Sequence, residues 1–169
     1  LCTTTRQQRQ DTLALISGWL KEIGVASTVN AVSPADIFAS YNESTDQTPC
    51  NLSRHNFDVA EHAFSVPLSP QSNYPVYHSG QEAPKGQNDA QINDPDIDRV
   101  LDELKGTVDF AKAKELMAEF QKLYVEKVVE VPLYFRKDVN LVSTKIGNWT
   151  GNPTSTGYTW NIADWFIKP

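Results

Sequence analysis

The 169-residue sequence predicts an α/β fold, and three observations carry that reading. A β-prone run, an amphipathic helical run and a second β-prone run follow one another at the N-terminus with short connections. Two further helical patterns lie back to back after residue 94. The last forty or so residues then turn β-rich, in line with a mixed sheet flanked by helices.

The elements follow in order. Residues 1–5 are short, Thr-rich and β-prone. From Arg6 the period becomes helical, with Leu13, Ile16, Leu20 and Ile23 at i, i+3, i+7 and i+10 and Trp19 beside them. Gly24 supplies the stop. Residues 25–32 alternate loosely as a strand, which completes a βαβ unit with two parallel, adjacent strands. Ser33 and Pro34 read as N-cap and first helical residue of a short helix carrying Ile37, Phe38 and Tyr41. Residues 42–56 are polar and read as a surface loop. Residues 57–64 (FDVAEHAF) read as a third strand, which Asp58 and Glu61 make less apolar than a buried strand should be.

Residues 65–91 form a long Pro-rich irregular segment, and a stretch of that length inside a domain is usually functional or mobile. Asp94-Pro95 then opens a helix with Ile97, Val100, Leu101 and Leu104 on one face, closed near Gly106. Asp109 caps the next helix, whose stripe is Phe110, Ala113, Leu116 or Met117, Phe120, Leu123 and Tyr124. The two should form a hairpin packed on the sheet. Residues 128–135, 140–144 and 158–166 read as strands, with Pro132 demoting the first to an edge or a crossing strand.

Composition excludes several functions. The formal net charge is −6, and the 15 Lys and Arg are scattered with no basic stripe, which argues against nucleic acid as a partner. No apolar run approaches the ~20 residues of a spanning helix. The chain opens inside what reads as a strand, which suggests a piece of a longer protein and leaves location unread. Cys2 and Cys50 are far apart and in no metal-ligand spacing. They are either two unrelated buried thiols or one disulfide, and their places at the edges of strand-like segments favour the disulfide.

Catalytic signatures are absent. His55, His62 and His78 fall in no paired-ligand spacing, so no metal or other cofactor is implied. No G-x-S-x-G elbow or Gly-rich phosphate loop occurs. Pairs such as Asp96 with Asp98 read as solvated helix surface, and the three N-x-[ST] sequons say little about origin, since an Asn- and Thr-rich chain of this size carries one or two by chance. Aromatic residues remain. Phe64, Tyr74 and Tyr77 border the Pro-rich segment directly after a strand, where open α/β sheets bind ligands, although such rings also serve to pack a loop down.

Three stretches, read in order, resemble the C-terminal region of the oligopeptide/dipeptide/nickel-type family of ABC-importer solute-binding proteins (bacterial extracellular family 5). They are TTTRQQRQDTLALISGWLKEIGV at residues 3–25, Asn56-Phe57-Asp58, and the block from NDAQINDPDIDRVLDEL at residue 88 through VPLYFRKDVNLVS. The resemblance covers nearly the whole chain, and the order and spacing of the motifs carry it.

It implies the C-terminal lobe of a type II periplasmic-binding-protein-like fold. Residues 1–129 would be the main part of that lobe, and residues 130–169 a β-rich tail crossing back toward the other lobe. The function implied is non-enzymatic: capture of a peptide-like or oligosaccharide solute between two lobes, outside the cytoplasm, and delivery to an ABC permease in the membrane. Lipid anchoring of the full-length protein and a Cys2–Cys50 disulfide go with that location.

His62, Phe64, Ser65, Ser69 and Tyr74 are the expected cleft residues. Peptide-binding members place an acid just after the third strand, and residues 64–69 hold none. A buried ammonium there would lack its counter-charge, which leaves a neutral oligosaccharide in play. The alternatives from other classes are a stand-alone carbohydrate- or protein-binding module and a non-catalytic fragment of a secreted hydrolase.

Overall fold

In the computed structural model, which describes residues 1–65, 67, 69–135, 137, 139–152, 154 and 156–169, strand β1 (Cys2–Thr4) sits at the centre of a small parallel sheet. On one side it pairs with β2 (Asn30–Val32), Cys2 opposite Asn30 and Thr4 opposite Val32. On the other it bridges Ala60 in parallel. There the Cys2 N–H donates to the Val59 carbonyl at 2.7 Å and the Glu61 N–H donates to the Cys2 carbonyl at 2.8 Å.

The expected first two strands are thus parallel and adjacent, and the third lies beside β1. Both outer segments are shorter than the sequence suggests. Regular pairing over 25–32 begins only at Asn30, and 57–64 keeps a single bridge. The physical reason is that a ladder extends no further than its partner, and β1 is three residues long.

Between β1 and β2 runs α1 (Gln7–Glu22). Its end is a Schellman motif: the Gly24 N–H donates to the Lys21 carbonyl at 3.1 Å and the Val25 N–H to the Leu20 carbonyl at 2.9 Å. Gly24 takes φ +84°, a left-handed conformation that a side chain would strain. The anticipated stripe is buried at Leu13 only, while Trp19 and Ile23 stand 61% and 74% exposed. Farther along the same face Ile16 and Leu20 are only half-buried, so the narrow sheet covers the helix incompletely. The short helix α2 (Pro34–Ile37) starts as expected, with Ser33 Oγ accepting the Asp36 N–H at 3.1 Å and Pro34 in the first turn.

The polar loop after α2 is a built structure. Cys50 is disulfide-bonded to Cys2, with Cα atoms 5.6 Å apart. Asn51 is fully buried; its Nδ2 donates to the carbonyls of Asp36 and Ala39, and its Oδ1 accepts from Ser53 Oγ and the Arg54 N–H. Arg54 lies over the Tyr41 ring at 3.6 Å and donates to the carbonyls of Tyr41 and Ser44. Asn88 does the same for the Pro-rich segment, donating to the carbonyls of Ile92 and His78 and accepting from the Ile92 N–H.

The main core belongs to a helical layer. Helices α4 (Pro95–Gly106) and α5 (Phe110–Glu126) pack as a hairpin around Ile97, Val100, Leu101, Leu104, Ala113, Leu116 and Phe120. Asp94 and Asp109 cap them through the Asp96, Ile97 and Lys112 N–H groups. Leu116 is the buried member of its pair and Met117 packs at the margin, while Phe110 projects into solvent. The hairpin is covered less by the sheet than by α3 (Tyr74–Tyr77), whose Tyr74 and Tyr77 pack against the cluster.

The tail departs most from expectation. Residues 128–135 and 140–144 form no strand among the described residues, and of 158–166 only the last residue joins β4 (Phe166–Ile167). β4 pairs antiparallel with β3 (Ile146–Gly147). Gly147 permits that pair, since a Cβ there would come within 2.3 Å of the Phe166 ring. No helix among the described residues is long and apolar enough to cross a membrane.

The disulfide closes a 48-residue separation, for which chain entropy gives about 4 kcal/mol of stabilisation. The double variant C2S/C50S should therefore lose stability on that order in urea unfolding. Unreduced protein, denatured and alkylated, should show no mass gain, and reduced protein should gain two adducts.

Candidate functional site

The carboxyl ends of the parallel segments bring three connections together: β1 into α1, β2 into α2, and the chain leaving Ala60. Polar side chains collect there although the local sequence is strand-like. Thr3 Oγ1 donates to the Glu61 carbonyl at 3.0 Å, which ties the third segment to β1 beyond the bridge.

Glu61 Oε1 accepts from the Tyr134 hydroxyl at 3.2 Å, while its Oε2 is buried with no partner among the described residues. Burial pushes the Glu61 carboxyl above its ordinary value, and the Tyr134 hydrogen bond and the Arg9 charge pull it back. His62 Nδ1 is also buried and unpartnered. Burial holds this imidazole below its ordinary value, against the Glu130 carboxylate. Its ring meets Phe64 edge-on, centroids 5.0 Å apart.

A second polar group adjoins the first. Glu130 Oε2 accepts from the hydroxyls of Tyr124 at 2.6 Å and Tyr77 at 3.3 Å. Burial first, then the Glu130 charge, pushes the Tyr77 phenol up to about 12 and the Tyr124 phenol upward as well. Burial also pushes Asp89 up to about 6, with the His55 charge opposing and the Glu130 charge adding. His55 Nδ1 lies 3.3 Å from Gln91 Nε2, and its Nε2 is buried without a partner among the described residues. Among the described residues, no three or more His, Cys, Asp or Glu stand where they could hold a metal ion.

Of the residues expected to line a cleft, the structure brings His62 and Phe64 together, followed by the exposed Ser65. Ser69 and Tyr74 are engaged with the helical layer. The Ser69 hydroxyl donates to Gln71 Oε1, and Gln71 reaches the Thr107 carbonyl at 2.8 Å. Tyr74 stacks on His78 at 4.5 Å with Lys105 Nζ 3.9 Å from its ring centre. Val66 and Leu68, which fall in the acid-free stretch 64–69, lie outside the described residues.

Sequence reading passed over Arg9, Glu61, Tyr134 and Glu130. Glu61 left a signal, as a charge inside a strand pattern. Tyr134 and Glu130 left none, since each meets its partner only through the fold. Polar atoms without a partner among the described residues, such as Glu61 Oε2 and His62 Nδ1, can hold a polar solute by hydrogen bonds.

The pH dependence can be given a sign. An acid whose folded pKa lies above its unfolded value costs stability where it must ionise, above about 6 for Asp89, and costs none below its ordinary 3.8. Asp89→Asn should therefore raise the melting temperature by a few degrees at about pH 8 and leave it unchanged at about pH 3. A gain of equal size at both pH values would show that burial of the charge is not the cause.

No family model matches the sequence, and no curated protein matches it. Solved structures do match the fold. NikZ from Campylobacter jejuni, in complex with Ni(L-His), matches over 97% of this chain with a TM-score of 0.67 and 18% identity. The oligopeptide-binding protein AppA from Bacillus subtilis, in complex with a nonapeptide, matches over 99% with a TM-score of 0.61 and 17% identity. The chain spans about a third of the length of each, 32% and 31% respectively. The fold class is therefore α/β of the type II periplasmic-binding-protein-like kind.

Proposed function

We propose that this chain is the C-terminal part of an extracytoplasmic solute-binding protein of the oligopeptide/dipeptide/nickel type, the capture component of an ABC importer. The observation that supports it most is the fold. Almost the entire chain matches about a third of each of two proteins whose structures hold a metal–amino-acid complex and a peptide. Glu61 Oε2 and His62 Nδ1, unpaired among the described residues and at the carboxyl ends of parallel segments, are where such a fold would meet a solute.

In this reading residues 1–129 form most of one lobe, and residues 130–169 cross toward a second. His62, Phe64 and Ser65 face the solute from the strand end, with Ser69 and Tyr74 on the far rim. The solute is peptide-like or an oligosaccharide. Closure of the two lobes by hinge motion hides it, and the closed form is what a membrane permease recognises. No bond is made or broken. The protein works outside the cytoplasm, which suits the Cys2–Cys50 disulfide.

The expected energetics follow from enclosure. One lobe offers only part of the contact area, and polar contacts on its open side stay in water. Each 1.4 kcal/mol lost weakens binding about tenfold, so losing several moves a micromolar receptor into the millimolar range. Calorimetry on the 169-residue chain should detect no binding of peptides or oligosaccharides, while a two-lobed protein containing it binds one class. Tight stoichiometric binding by the isolated chain would contradict the two-lobe reading and favour a stand-alone module.

A further inference from the structure

Strand β2 is an edge of the parallel sheet. The Asn30 N–H donates to the Leu1 carbonyl at 2.8 Å, the Thr5 N–H donates to the Val32 carbonyl at 3.0 Å, and the Thr28 carbonyl accepts from the Leu1 ammonium at 2.8 Å. Backbone groups alternate sides along an extended chain, so Val29 and Ala31 turn their N–H and C=O groups away from β1. No hydrogen bond meets those groups among the described residues. A groove of about 520 Å³ follows the strand, lined by Val29, Asn30, Ala31, Val32, Pro49 and Cys50 among others, so the chain leaves the space beside β2 open. We propose that this edge pairs antiparallel with β2 of a second copy of the chain, about a two-fold axis at Asn30. The inference does not depend on the solute-binding reading.

The first argument is that the edge is undefended. Unpaired ladder groups are a template for another strand, and edge strands are commonly blunted by a charge, a proline or a bulge. Residues 25–32 read Val-Ala-Ser-Thr-Val-Asn-Ala-Val, with no charged residue, proline or glycine. Thr28, Asn30 and Ala31 are exposed. On a chain of net charge −6, this uncharged stretch lets two copies approach without like charges facing each other.

The second argument is self-complementarity, which selects a second copy over an unrelated strand. With Asn30 facing Asn30, Val29 of each copy meets Ala31 of the other, and every outward N–H finds an outward C=O. The Asn30 side chain makes no hydrogen bond among the described residues, and an amide carries both a donor and an acceptor, so it complements itself as a charged group does not. Thr28 falls opposite Val32, a β-branched pair, and Pro34 ends the ladder on both sides. So short a pairing buries less than the roughly 1,200 Å² of a standard interface, which makes the dimer weak, with a dissociation constant on the order of 10⁻⁴ M.

The test is sedimentation equilibrium and a ¹⁵N NMR dilution series on the 169-residue protein, from low-micromolar to millimolar concentration. A monomer–dimer equilibrium is expected, with concentration-dependent shifts centred on the amides of Val29 and Ala31. Ala31→Pro removes an outward donor that β1 does not use, and should weaken association at least tenfold while resonances of the helical layer stay in place. Asn30→Lys and Asn30→Asp should each weaken self-association, and mixing the two should restore it as a heterodimer, which decides the matter even if the proline variant misfolds. Monomer at every concentration, shifts centred elsewhere, or variants that dimerise as before would overturn the proposal. So would an edge that ignores a second copy yet takes up an added extended peptide at Val29 and Ala31.

Discussion

Cys2 is fixed from three directions, and the arrangement of the sheet end of the molecule depends on it. Its backbone pairs with β2 on one side and exchanges hydrogen bonds with Val59 and Glu61 on the other, and its sulfur is bonded to Cys50. A strand of three residues has little ladder energy of its own, so the covalent tie and the two-sided pairing act together. Because all three segments run parallel, their carboxyl ends fall at one edge. That is why Arg9, Glu61 and His62, which come from distant parts of the sequence, share one electrostatic environment.

The helical layer meets that edge through Glu130. Its carboxylate takes hydroxyls from α3 and α5, and its charge reaches His62 and Asp89. The two halves of the chain are thus joined less by a shared apolar core, which lies around α4 and α5, than by a partly buried polar network. Such networks are costly when partly satisfied, and among the described residues His55, Glu61 and His62 each keep a buried side-chain atom without a hydrogen-bond partner.

What the sequence made legible was local. Ser33, Asp94 and Asp109 cap the helices they were expected to cap, and Gly24 ends α1, because each signal concerns hydrogen bonds within a turn or two. Strands were legible only in place and direction, since their length depends on partners elsewhere in the chain. The anchors Asn51, Asn88 and Arg54 were hidden because they bond mostly to backbone carbonyls, which every residue carries. Within the site, His62 and Phe64 were legible only as members of a strand-like run, and their edge-on contact was not.

The tail shows the same dependence on partners at its strongest. Val131, Phe135, Val139 and Leu141 have the composition of strands, yet each is more than two-thirds exposed, as no neighbouring strand among the described residues meets them. A helix satisfies its own backbone, so α4 and α5 form regardless of what lies beyond them, but an extended segment cannot. What holds the base of the tail here is side-chain chemistry: Glu130 between two tyrosines, and Tyr134 on Glu61. The same Glu61 carboxyl borders the candidate cleft, and the same Glu130 charge opposes the burial that lowers the His62 titration. Any movement of the tail therefore changes the hydrogen bonding and the field at the strand ends, so the tail and the candidate site form one physical unit.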